Sequence, residues 1–128
     1  MSTLKADTIQ NTSGGAVTLT KQSVPKAHTQ LDQTGTTELK GSFNFSSVTD
    51  VGTGKADLFF TNNFSATSYA NAGGADGGAT TQGTVSSWHN AGNAYRSTAA
   101  NSVGTRNIND NSLIDRTYVV LIYCGDLA

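Results

Sequence analysis

Two histidines, His28 and His89, one cysteine, Cys124, and nine carboxylates scattered singly are the side chains best equipped for acid–base, nucleophilic or metal chemistry. No Gly-x-Ser-x-Gly and no His-Glu-x-x-His motif accompanies them. Those arrangements are what activate a serine or hold a catalytic zinc. One Cys and two His cannot close an N/S zinc site, and a lone Cys forms no intrachain disulfide. A ring of one His from each of three chains would hold a metal, but there is no His-x-His pair to encourage it. Glycan cleavage needs paired carboxylates on a groove, and no pair stands out. The chain reads as non-enzymatic, with no cofactor and no metal.

Residues suited to binding are more numerous. Residues 71 to 83 are Gly-rich but lack the Gly-Lys-Ser/Thr ending of a phosphate cradle. They read as a long loop, either a connector or a host-facing loop carrying Gly73, Asp76 and Gly78. Trp88, Tyr69 and Tyr95 offer ring faces for stacking on sugars, with Asn90 and Asn93 close by for hydroxyls. The competing use of such rings is a core or a chain–chain interface. Asp50 and Asp57 flank a turn, where an Asx turn competes with calcium. Asn11, Asn44 and Asn63 open glycosylation sequons by chance in an Asn/Ser-rich chain that begins without a hydrophobic signal core. Cys124 lies in an apolar run and reads as a buried, inert thiol.

The elements that must position these residues are strands. Thr (19), Gly (14), Ser (13) and Asn (11) dominate the 128 residues, and they favour turns and strand surfaces over helices. Leu, Ile, Val and Phe are few, and net charge is only −1. A sparse core without self-repulsion points to burial between chains. No apolar run reaches the ~20 residues of a membrane span, and no basic stripe suits nucleic acid.

Residues 1 to 25 read as an extended arm for attachment or trimerisation, with Leu4, Ile9, Val17 and Leu19 as its apolar contacts. Residues 26 to 128 read as an antiparallel β-sandwich or jelly-roll-like domain. Within it, Lys26 to Leu31 forms a strand, a turn at Gln33-Thr-Gly35 follows, and Thr36 to Lys40 pairs back. Ser42 to Thr49 alternates so that Phe43 and Phe45 share a core face. Asp50-Val-Gly-Thr-Gly54 turns into Lys55 to Thr61, whose Leu58 and Phe60 also face the core. Weaker strands are expected over 84–88, 94–98 and 102–108, with Asn109 to Ser112 a turn. Thr117 to Cys124 is nearly all apolar and is expected to be covered on both faces, with Val120 and Ile122 in the core.

Three segments carry a resemblance. Phe43-Asn-Phe-Ser-Ser-Val-Thr-Asp-Val-Gly-Thr-Gly54, continuing into Ala56-Asp-Leu-Phe-Phe60, resembles a module of short tail-fibre-like virion proteins of marine, cyanophage-type tailed bacteriophages. The opening Ser2-Thr-Leu-Lys-Ala-Asp-Thr-Ile-Gln-Asn-Thr-Ser-Gly-Gly15 and the ending Tyr118-Val-Val-Leu-Ile-Tyr-Cys-Gly-Asp126 are similar to the ends of the same proteins. The resemblance implies a trimeric β-rich virion component, made in the host cytoplasm. Its arm would bind other virion proteins and its distal loops would meet host polysaccharide or outer-membrane protein. A head decoration or connector protein is the alternative.

Overall fold

The computed structural model describes Ser13 and residues 24–76, 83–87 and 96–128. Eight strands follow one another among these residues: β1 (Pro25–Asp32), β2 (Glu38–Phe43), β3 (Phe45–Gly52), β4 (Lys55–Phe60), β5 (Ala70–Ala75), β6 (Gly83–Ser87), β7 (Ala100–Asn107) and β8 (Val119–Cys124). Every pairing is antiparallel, in the order β2-β1-β8-β5-β6-β7-β4-β3. A single pair, Ala75 with Gly83, joins β5 to β6. There the ladder folds into two layers, β2-β1-β8-β5 over β6-β7-β4-β3. The sequence β8-β5-β6-β7 is a Greek key, with the last strand returning beside the first. The all-β sandwich expected from strand spacing and turn residues is what forms.

Period-two alternation supplies the core between the layers. β1 contributes Ala27 and Leu31, β4 contributes Ala56, Leu58 and Phe60, β7 contributes Val103, and β8 contributes Val119, Leu121 and Tyr123. Phe64 and Tyr69, from the connection after β4, close one end. Phe60 lies at the centre of the rings, with centroids 4.8 Å from Phe64, 5.2 Å from Phe45, 5.4 Å from Tyr123 and 5.7 Å from Tyr69. Hydrogen bonds between side chains tie the layers: Asn101 Nδ2 donates to the Tyr123 hydroxyl at 2.9 Å, and Thr105 Oγ1 to Gln33 Oε1 at 2.8 Å.

The β3–β4 hairpin forms where Asp50 to Gly54 signals it. Asp50 Oδ1 accepts the Gly52 N–H at 2.7 Å, an Asx turn. Gly54 has φ +66°, and a Cβ there would stand 2.6 Å from Ile114 N and 2.7 Å from Thr105 O. The turn is thereby pinned onto the segment before β8, where Asp115 Oδ1 also accepts the Gly54 N–H at 2.6 Å.

Several expectations are corrected. Ser42 to Thr49 is not one strand. Asn44 breaks it in the left-handed region, at φ 60°, which Asn tolerates better than most residues. Its side chain replaces ladder bonds at this corner: Nδ2 donates to Asn62 O at 3.1 Å and Oδ1 accepts the Asn62 N–H at 2.7 Å. The corner carries the chain from the edge of one layer to the edge of the other. Phe45 consequently turns in against Phe60 and Tyr123, while Phe43 turns out and is 55% exposed, so Phe43 is not a core residue.

β8 is covered on one face only: Val119, Leu121 and Tyr123 are buried, whereas Val120 and Ile122 are 49% and 39% exposed and are not core residues. Residues 70–75 are a strand rather than the start of a loop, because β8 pairs with each of them, from Ala70 with Cys124 to Ala75 with Val119. Tertiary pairing overrides the low strand propensity of Gly and Ala here. The strand expected over 94–98 reduces, among the described residues, to one bridge from Arg96 to Asn101. The arm residues Leu4, Ile9, Val17 and Leu19 lie outside the described residues.

Candidate interaction surface

The register of the four strands β2-β1-β8-β5 lines up their outward side chains in rows. One row runs Phe43, His28, Ile122, Ala72. The next runs Gly41, Gln30, Val120, Gly74. Tyr118, 53% exposed, lies beyond the start of β8, where its carbonyl accepts the Asp76 N–H at 2.8 Å. The His28 imidazole stacks on Phe43, with centroids 5.8 Å apart and planes at 23°. The face is thus an apolar ridge on β8, an aromatic pair on β1 and β2, and a floor of Ala70, Ala72 and Gly74 on β5. Its strand ends carry opposite charges, Lys26 near the start of β1 and Asp76 just past β5. Cys124 is half-buried at the Lys26 end rather than enclosed.

Shallow hollows adjoin the sandwich among the described residues. One, of about 210 Å³, is lined by Asp76, Asp115, Arg116, Thr117 and Tyr118 and opens beside the apolar face. Another, of about 240 Å³, is lined by Ser65, Ala66, Ser68, Tyr69, Gly125 and Asp126 at the end closed by Phe64.

The residues singled out for binding scatter over this frame. Gly73 sits within β5, paired with Leu121, and Asp76 lies on the rim of the first hollow. Gly78, Trp88, His89, Asn90, Asn93 and Tyr95 lie outside the described residues. Tyr69 is not a sugar platform, being only 3% exposed. Its hydroxyl donates toward Ala100 O at 3.3 Å. The Arg96 guanidinium covers its ring at 4.5 Å from the centroid, and burial pushes its hydroxyl pKa up. Asp57 accepts a hydrogen bond from Ser102 Oγ across to β7, on a different strand and away from the turn that Asp50 caps. Among the described residues no three His, Cys, Asp or Glu side chains gather to hold a metal.

Sequence reasoning missed the apolar face. Its signal is the unbroken Tyr118 to Cys124 run, whose apolar residues on both faces suit a strand covered twice. Among the described residues only one layer covers that strand. Comparisons with protein-family models, curated proteins and solved structures return no match.

Proposed function

We propose that this chain is a non-enzymatic structural protein of a tailed-phage particle, of the fibre type, and that it works as a homotrimer. Residues 1–25 serve as the arm that joins it to other virion proteins. Host polysaccharide or outer-membrane protein is met around Asp76 and the hollow beside Tyr118.

The observation that supports this reading best is the exposed sheet face that carries Phe43, His28, Ile122 and Val120 in adjacent rows. Apolar area of this kind gains roughly 25 cal/mol for each Å² withdrawn from water. Contiguous exposed patches mark surfaces built for contact with another macromolecule. An assembly protein has a use for such a face. The resemblance of three segments to short tail-fibre-like proteins supplies the particle.

Light scattering coupled to size exclusion tests the assembly, with a mass near three times the 13.3 kDa chain expected. Antibody labelling of intact particles tests the place. Label on the tail supports the fibre role, and label over the shell replaces it with a head decoration role. Glycan release from host polysaccharide by the purified protein would overturn the non-enzymatic reading.

A further inference from the structure

We infer that the hollow in front of β8 is a binding site for one ring of a neutral saccharide, with Tyr118 as its stacking platform. The inference rests on the host-contact reading above and names the ligand class of that site.

The hollow is built on a short segment, residues 115–118, that leads into β8 and is tied to separate elements. The Arg116 carbonyl accepts the Gln33 N–H at 2.8 Å, just past β1. Asp115 Oδ1 accepts the Gly54 N–H at 2.6 Å, in the β3–β4 turn. The Tyr118 carbonyl accepts the Asp76 N–H at 2.8 Å, just past β5. Two of these bonds use backbone groups alone. The third takes one of about four lone-pair sites on a carboxylate, which leaves acceptor capacity for a ligand. A lining fixed in this way loses little freedom on binding.

The lining mixes donors and acceptors beside a ring. Arg116 is only 8% exposed yet lines the hollow, and its guanidinium can only donate. The Asp76 and Asp115 carboxylates can only accept, and the Thr117 hydroxyl does both. Sugar hydroxyls also do both, so neighbouring hydroxyls on one ring can meet guanidinium and carboxylate together. Tyr118, 53% exposed, offers an aromatic face on which the C–H face of a sugar ring stacks.

Charge and size narrow the class. Two carboxylates against one guanidinium repel a uronate, a sialate or a phosphate. Lys40, within electrostatic reach of Tyr118, is already paired with Glu38. The guanidinium opposes a bare cation, and an apolar ligand would desolvate these charges without replacing their hydrogen bonds. The hollow, about 210 Å³, falls below the roughly 300–1,000 Å³ that encloses a drug-sized ligand. It therefore takes one ring of a chain and leaves the rest outside. Such a site binds weakly by itself, and several copies on one particle raise the avidity.

Saturation-transfer NMR on the full chain tests the site. The probes are the methyl glycosides of glucose, galactose, mannose and N-acetylglucosamine, with galacturonate and N-acetylneuraminate as acidic counterparts. The expected result is transfer to the C–H protons of at least one neutral glycoside and none to the acidic probes. Tyr118→Ala should weaken that binding about tenfold through loss of the stacked ring, and Tyr118→Phe, which keeps the ring, should retain it. Asp76→Asn removes a repelling charge and should admit galacturonate. Phe43→Ala, which deletes an exposed ring outside the hollow, is the control, and circular dichroism confirms the fold of each variant. The inference is overturned by no transfer to any neutral glycoside, by stronger transfer to the acidic probes, or by equal loss in Tyr118→Ala and Phe43→Ala.

Adhesion of labelled protein to host cells separates this inference from the reading beneath it. Adhesion that persists unchanged in Tyr118→Ala overturns the saccharide site and leaves host contact standing. A wild type that neither adheres to cells nor shows transfer to any sugar overturns both.

Discussion

Phe60 and Phe43 show how much a side chain's direction matters when residue type is constant. Phe60 is enclosed by four rings between the layers, so Phe60→Ala should cost about 3–5 kcal/mol. Phe43 stacks on His28 at the surface and is half exposed, and Phe43→Ala should cost less than about 1 kcal/mol in the single chain. Denaturant melts of the two variants under monomeric conditions check the contrast, and equal losses would contradict the inward and outward assignment. Gly54 is a second sharp position. Its backbone conformation alone costs an L-residue about 1–3 kcal/mol, and the Cβ of Gly54→Ala would collide with backbone atoms of Ile114 and Thr105 rather than with movable side chains. A clear loss of stability is expected from that variant, whereas Gly35→Ala, at φ +72° in open space, should show the conformational cost only.

At the scale of elements, β8 is the organising strand. It pairs with β1 on one side and β5 on the other, delivers Val119, Leu121 and Tyr123 to the core, and presents Val120 and Ile122 outward. β5 has little to offer the core by itself; it is a strand because β8 supplies its hydrogen bonds. The turn between Asp50 and Gly54 was legible because Asp and Gly state their backbone preference locally. The corner at Asn44 was not, since Asn-Phe-Ser inside an alternating run carries no local stop signal. What selects the left-handed conformation there is Asn62, 18 residues away. β1 begins at Pro25 and pairs with β2 on one side and β8 on the other. A chain beginning at Val24 should therefore keep the melting transition of the β-domain and fail to join particles. Normal incorporation of this truncated chain, read by blotting purified particles, would contradict the role of the arm.

For the whole molecule, pH acts at both extremes. The Thr34 hydroxyl and N–H, at 2.7 and 2.9 Å, hold the Asp32 carboxyl below the usual carboxylate range, and Ser112 does the same for Asp110. The unfolded chain therefore takes up protons first on acidification. The contribution is present above about pH 4 and lost as pH falls through the lowered folded values. At the alkaline end, burial pushes the hydroxyls of Tyr69 and Tyr123 above their ordinary 10.0. The unfolded chain releases those protons first, so stability declines as pH rises beyond about 10. Thermal melts across pH should show a plateau falling at both ends, and Tyr123→Phe should soften the alkaline fall. That variant should also cost about 1–3 kcal/mol at neutral pH by leaving the Asn101 amide unsatisfied.

Local residue patterns were enough to read the class of fold, the β3–β4 hairpin, the inward set Leu58 and Phe60, and the strands corresponding to β1, β6, β7 and β8. Alternation, β-branched and aromatic runs and Gly/Asp turns are local properties, and they act whatever the rest of the chain does. It took long-range packing to turn Phe43, Val120 and Ile122 outward, to enclose Tyr69, and to make residues 70–75 a strand. Those outcomes depend on how many layers cover each strand and on which distant strand offers its hydrogen bonds. A period-two pattern identifies two faces of a strand, but it takes the packed neighbour to say which of two apolar faces meets the core and which stays exposed.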